Sequence, residues 1–209
     1  MKKWRVKRRT VQSNPIYAAM VEHLDDNIGR LYNTLKEQEL LDNTLIIFTS
    51  DNGGLATGSS PTSNKPLSEG KGWMYEGGVR VPLFVWWGAK LQSQTNNTIV
   101  NSTDYFNTIL SLLDIDHQVD NDSFDFSDSL KGHTLNRPPV YWYYPHYGNQ
   151  GGAPYAAVRL ENYKLIRQFD TETYELYDLS NDISELYDIS SFNVKKTQEL
   201  RTLLNQWLI

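Results

Sequence analysis

The chain is predicted to be α/β, ending in a small antiparallel sheet closed by a helix. Three observations carry that expectation. A long amphipathic segment leads into the short β-branched run Leu45-Ile-Ile-Phe-Thr49, the helix-then-strand order of α/β domains. A second apolar run, Leu83–Trp87, follows a glycine-rich turn. Beyond Pro139 the pattern changes to short aromatic, alternating runs joined by turns, the mark of an antiparallel sheet.

Residues 1–9 carry Lys2, Lys3, Arg5, Lys7, Arg8 and Arg9, but Thr10–Asn14 is polar where a signal peptide would be apolar. Residues 1–14 therefore read as a solvated basic tail, or as part of a piece cut from a longer frame, with no secretion signal. Pro15 opens a helix in which Ile16, Met20, Leu24, Ile28, Leu31 and Leu35 form one apolar stripe, expected to face a sheet. Asp42-Asn43 closes that connection, and Leu45–Thr49 should be a strand buried on both faces. Leu55–Gly70 is a long polar loop of the kind that forms lids and binding rims, with Lys65 on it expected to be an exposed lysine. Ser102-Thr-Asp-Tyr starts a further helix, with Asp104 in its first turn where a carboxylate suits the dipole. From Asp114 to Asp128 the acidic composition reads as a surface connection without metal-ligand spacing. Four regions are expected: a tail over 1–14, the α/β part over 15–115, a connection over 116–138 and the sheet-and-helix subdomain over 139–209, closed by Leu200, Leu203, Leu204 and Trp207.

With 209 residues and 39% hydrophobic content, one sizeable core can be buried. A net charge of −5 argues against general binding to nucleic acid or to an anionic membrane surface. No apolar run approaches the roughly 18 residues of a membrane helix. There is no cysteine, which excludes disulfides and thiolate metal sites in these residues.

Ligands of open α/β sheets collect at the carboxyl ends of the strands, which puts Ser50-Asp51-Asn52-Gly53-Gly54 where chemistry is expected. Asp51 and Asn52 offer a carboxylate and an amide oxygen side by side, hard ligands suited to Ca²⁺ or Mg²⁺. The same residues are ordinary turn formers. Lys71, ahead of Glu76-Gly-Gly-Val-Arg80, sets a cation near that pair, and Arg80 either joins an anion pocket or pairs with Glu76. Together they suit an oxyanion such as a sulfate or phosphate ester.

Thr44-Leu-Ile-Ile-Phe-Thr-Ser-Asp-Asn-Gly-Gly followed by Gly70-Lys-Gly-x-x-Tyr-Glu-Gly-Gly-Val-Arg-Val-Pro resembles the C-terminal portion of the type I, formylglycine-dependent sulfatases (arylsulfatases). The similarity runs from about Pro15 to about Ser190. It implies the C-terminal part of an alkaline-phosphatase-like sheet plus a small antiparallel subdomain, with Asp51 and Asn52 as Ca²⁺ ligands and Lys71 on the sulfate. A Tyr144-Pro-His-Tyr loop near the substrate mouth adds His146 as a substrate contact. The implied substrate is a sulfated small molecule or glycan, and full-length relatives are usually periplasmic, secreted or lysosomal. The formylglycine precursor motif Cys/Ser-x-Pro-x-Arg is absent, since Ser13-Asn-Pro-Ile-Tyr and Ser59-Ser-Pro-Thr-Ser both lack the arginine. The Ca²⁺ shell is likewise incomplete with two ligands. The expectation is a portion of a longer sulfatase that partners a missing N-terminal half and is inactive alone. The alternatives are a phosphoesterase or phosphonate hydrolase of the same superfamily, a non-catalytic anion- or glycan-binding remnant, and an inert fragment without a stable fold.

Overall fold

A computed structural model of the protein describes residues 14–56, 60–116 and 120–209. The basic tail expected over 1–14 lies almost wholly outside the described residues. The order of elements is α1 (Pro15–Glu37), β1 (Ile46–Thr49), α2 (Glu76–Val79), β2 (Leu83–Trp86), α3 (Tyr105–Leu112), α4 (Ser127–Leu130), β3 (Val140–Tyr144), β4 (Tyr155–Leu160), β5 (Tyr163–Gln168), β6 (Thr173–Asp178) and α5 (Val194–Trp207). Among the described residues, one compact unit falls within Met1–Gly29, Thr49–Leu83 and Pro139–Ile209, and a second within Arg30–Phe48 and Phe84–Pro138. No helix among them is long and apolar enough to cross a membrane.

The first unit is built on the antiparallel sheet β3-β4-β5-β6. Period-two alternation sends its side chains to opposite faces, and both faces are covered. Ala156, Val158, Leu165 and Leu176 pack under Leu200 and Leu204 of α5, whose Asn193 cap accepts from the Lys196 amide at 3.3 Å. Trp207 closes the helix by stacking on Tyr141 at 4.8 Å. On the opposite face Tyr155, Ala157, Ile166 and Tyr177 pack with Met74, flanked by Trp73, Tyr75 and Val79 of the glycine-rich turn. The turn is therefore a layer of the core, and its position is set by the sheet.

A buried ion cluster locks that layer. Lys164, the second residue of β5, has no solvent exposure and lies on the face that meets the turn. Its Nζ donates to Glu76 Oε1 at 2.9 Å and to Glu185 Oε1 at 3.0 Å. Glu185 Oε2 accepts from the Glu76 backbone amide at 2.6 Å, and Arg159 donates to Glu76 Oε2 at 3.3 Å. Burial pushes the Glu76 carboxyl up, but Lys164 and Arg159 outweigh it and hold the group below the ordinary glutamate range. Burial dominates at Glu185 and pushes it up. Arg80 pairs with Glu76 at 3.4 Å, a structural role for both residues.

The second unit is organised by Asp104, fully buried at the start of α3. The Asn101 amide donates to its Oδ2 at 2.6 Å, the Phe124 amide to its Oδ1 at 3.0 Å, and Arg137 pairs with it at 2.8 Å. The cap of this turn is Asn101, one residue earlier than the Ser102 start read from the sequence. The acidic stretch read as a surface connection also holds buried structure. Phe126 is buried, and its amide donates to Thr108 Oγ1 at 3.0 Å, because an aromatic side chain wins against a polar background when a helix face is there to receive it.

Two further expectations are corrected. β1 is half-buried along its length, so it is not the doubly covered strand expected of Leu45–Thr49, and β2 leaves Phe84 64% exposed. They pair only with each other, and the described residues supply no third strand to flank them. α1 forms as a helix but buries no residue, with Ile16, Met20, Leu24, Ile28 and Leu31 all exposed. Periodicity marks a face without supplying the surface that face would meet.

Two outcomes follow from the ion cluster. Lys164→Met takes the cationic partner from buried Glu185 and leaves Glu76 to Arg159 and Arg80, and is expected to lower the unfolding free energy by about 3–5 kcal/mol in urea denaturation. Because the folded Glu76 value is depressed, its stabilising contribution is complete above the ordinary value of 4.5 and is lost as pH falls through the lower folded value. Glu76→Gln should be less stable at pH 7 and should show a flatter acid limb below pH 4.5 in the same titration.

Candidate functional site

Asp51 and Asn52 leave the carboxyl end of β1, with Asp51 exposed and Asn52 half-buried. Ser50 Oγ donates to the Asn52 carbonyl at 2.8 Å, turning the chain sharply. Gly53 then runs against α2, its amide donating to the Gly78 carbonyl at 2.9 Å. A Cβ on Gly53 would lie 1.8 Å from the Gly77 carbonyl oxygen, so only glycine permits this approach.

Asn64 ties the two halves of the site together. Its Oδ1 accepts from the Gly54 amide at 3.1 Å, while its Nδ2 donates to the Gly54 carbonyl at 2.6 Å and to the Glu69 carbonyl at 3.0 Å. The Lys71 amide adds a bond to the same Gly54 carbonyl at 3.2 Å. Asp51, Asn52 and Lys71 are thus brought onto one pair of hydrogen-bonded backbone segments. Lys71 is exposed, and none of these three side chains is engaged with another group among the described residues.

His146 lies on the loop between β3 and β4, exposed, with its ring edge-on to Tyr144 at 5.6 Å. That loop contacts the Lys71 turn through Trp73, whose Nε1 donates to the Gln150 carbonyl at 3.2 Å. Behind the turn, the Tyr75 and Tyr177 hydroxyls both donate to Glu175 Oε2, at 2.6 and 2.9 Å. Burial first, and then the Glu175 charge, push both phenols far up, and Tyr155 is pushed up to about 12 by burial. These phenols therefore stay protonated across any physiological pH.

Among the described residues no group of three or more His, Cys, Asp or Glu side chains is placed to hold a metal. Asp51 and Asn52 supply an available carboxylate and an amide oxygen, which fit a hard cation as part of a shell of six or more oxygens. Lys65, read as an exposed loop lysine, is exposed. Sequence reasoning missed Asn64, Trp73, Lys164 and Glu185. Asn64 sits among loop formers in a Ser63-Asn-Lys-Pro-Leu67 segment that fits the family pattern, but no role followed for it from the sequence alone.

Asn64→Ala removes three hydrogen bonds and takes the acceptor from the partly buried Gly54 amide. It is expected to cost about 1–3 kcal/mol and to speed hydrogen exchange at the Gly54 and Lys71 amides, read by mass spectrometry or NMR.

Residues 3–115 match the sulfatase family, and residues 69–209 match the family described as N-sulphoglucosamine sulphohydrolase, C-terminal. A sulfatase from Formosa agariphila is 31% identical over 220 residues, covering 92% of this chain and 39% of that protein. The crystal structure of Ps i-CgsB in complex with k-i-k-neocarrahexaose is similar at a TM-score of 0.79 and 29% identity, covering 93% of this chain and 44% of that one. The structure of BT4656 in complex with its substrate D-glucosamine-2-N,6-O-disulfate is similar at a TM-score of 0.76 and 27% identity, covering 91% of this chain and 39% of that one. The chain spans about two fifths of the length of the proteins it matches. It belongs to the sulfatase family, and its architecture is that of the C-terminal part of the alkaline-phosphatase-like fold.

Proposed function

We propose that this chain forms the C-terminal part of a sulfatase that removes sulfate from a glycan, and that it carries the sulfate-binding side of the active site. The observation that supports it is the bond from the Lys71 amide to the Gly54 carbonyl at 3.2 Å, which joins a cationic side chain to the segment bearing Asp51 and Asn52. In this reading Asp51 and Asn52 are two ligands of a Ca²⁺. When bound, the ion offsets the charge of the sulfate oxygens and orients them. Lys71 places its ammonium on the same oxygens, and His146 touches the saccharide. A saccharide substrate is supported by the glucosamine names attached to the matched C-terminal family and to BT4656.

The nucleophile is not among these 209 residues, because the chain has no cysteine and neither serine-proline segment carries the required arginine. The chain by itself is therefore proposed to bind without turnover, and to require a partner segment that supplies the formylglycine.

The test is calorimetric titration of the chain with Ca²⁺ and with glucosamine 6-sulfate, alongside an assay for released sulfate. The sulfated sugar is expected to bind in a Ca²⁺-dependent manner with no sulfate released. Lys71→Ala should weaken it by about tenfold to a hundredfold, the weight of one charged hydrogen bond. Asp51→Ala should remove the Ca²⁺ dependence. Release of sulfate by the chain alone, or binding indifferent to Lys71→Ala, overturns the reading.

A further inference from the structure

The geometry points to Trp73 as a positioning residue that docks the His146 loop onto the Lys71 turn, so that both ends of a sulfated saccharide meet prearranged groups. This rests on the sulfate- and saccharide-binding roles proposed for Lys71 and His146.

The loop from Pro145 to Pro154 contains Gly148, Gly151 and Gly152, and glycine loses the most conformational freedom when a segment is ordered. Its internal bonds are few: Gly151 N to Gly148 O at 3.1 Å and Gly148 N to Gly152 O at 3.3 Å. What holds it against the turn is Trp73. The indole Nε1–H donates to the Gln150 carbonyl at 3.2 Å. The ring lies under Gly151, where a Cβ would meet it at 3.2 Å and where a φ of +98° is adopted. One residue on, the backbones touch, since a Cβ on Gly152 would fall 1.9 Å from the Gly72 carbonyl oxygen. Trp73 is itself fixed from behind, by Tyr75 and Tyr155 with ring centroids at 6.2 Å in each case, and by its amide on the Gly70 carbonyl at 3.0 Å. The connection from Gly54 through Lys71 and Trp73 to Gln150 is therefore continuous. Trp73 is its last link.

The experiment compares Trp73→Ala, Trp73→Phe and Gly152→Ala with wild type and Lys71→Ala. Trp73→Phe keeps a ring under Gly151 and loses the donor, whereas Gly152→Ala wedges the backbones apart with Trp73 intact. Hydrogen exchange at the Gly148 and Gly151 amides, glucosamine 6-sulfate affinity, Ca²⁺ affinity and cooperative unfolding are measured on each. The expected result is faster exchange with about tenfold weaker sugar binding in Trp73→Ala and Gly152→Ala, and an intermediate effect in Trp73→Phe. Ca²⁺ affinity and cooperative unfolding should be retained. Should Trp73→Ala not fold, the other two variants decide. Faster exchange with unchanged sugar affinity overturns the positioning role, as does weaker affinity with unchanged exchange. If Lys71→Ala leaves sugar binding unchanged, it is the proposed function that fails.

Discussion

The unit that carries the candidate site depends on one buried ammonium. Lys164 stands between Glu76 and Glu185 with no access to water, and the two carboxylates come from distant parts of the sequence. Desolvating these charges is costly, and the arrangement holds because all four carboxylate oxygens have a donor: Lys164, Arg159, Arg80 or the Glu76 amide. Such a cluster fixes geometry more than it adds stability. It fastens the head of α2 to the β5 strand, and the glycine-rich turn has no freedom to slide across the sheet.

With α2 fixed, the site is assembled from backbone contacts. Gly53 closes on Gly78, Gly54 is held by Asn64, and Lys71 bonds back to Gly54. Little of the apolar core reaches this far, so the placement of Asp51, Asn52 and Lys71 rests on hydrogen bonds between loops that the sheet and the ion cluster hold in register. Among the described residues this leaves the three side chains without hydrogen-bond or ion-pair partners.

The C-terminal sheet was legible because Val140–Tyr144, Tyr155–Arg159, Tyr163–Arg167 and Tyr174–Tyr177 alternate with period two between turns. The helical state of α1 was equally plain, but its exposure was not, because a 3.6-residue period names a face and says nothing of its neighbour. Asp51, Asn52 and Lys71 stood out as candidates by their place in and after the strand-ending turn and by the family resemblance. Lys164 was hidden for a physical reason: a lysine in an alternating strand reads as solvent-facing, and only the two distant glutamates make its burial tolerable. Arg137 was hidden in the same way, its partner Asp104 lying far back in the chain. Long-range charge pairing leaves no local pattern.

The bare face of α1 has a thermal consequence. A helix that fully buries none of its residues, with Tyr32 edge-on to Trp86 at 6.0 Å and Leu35 half-buried, is held mainly by its internal hydrogen bonds and propensity. Such helices are marginal in water. Ellipticity at 222 nm should therefore decline along a sloping baseline as α1 frays from its ends, well before the sheet and α5 collapse together. Near-ultraviolet signals from Trp142 and Tyr155, packed in the sheet, should stay flat over the same range. The helix and the sheet will not share one melting curve.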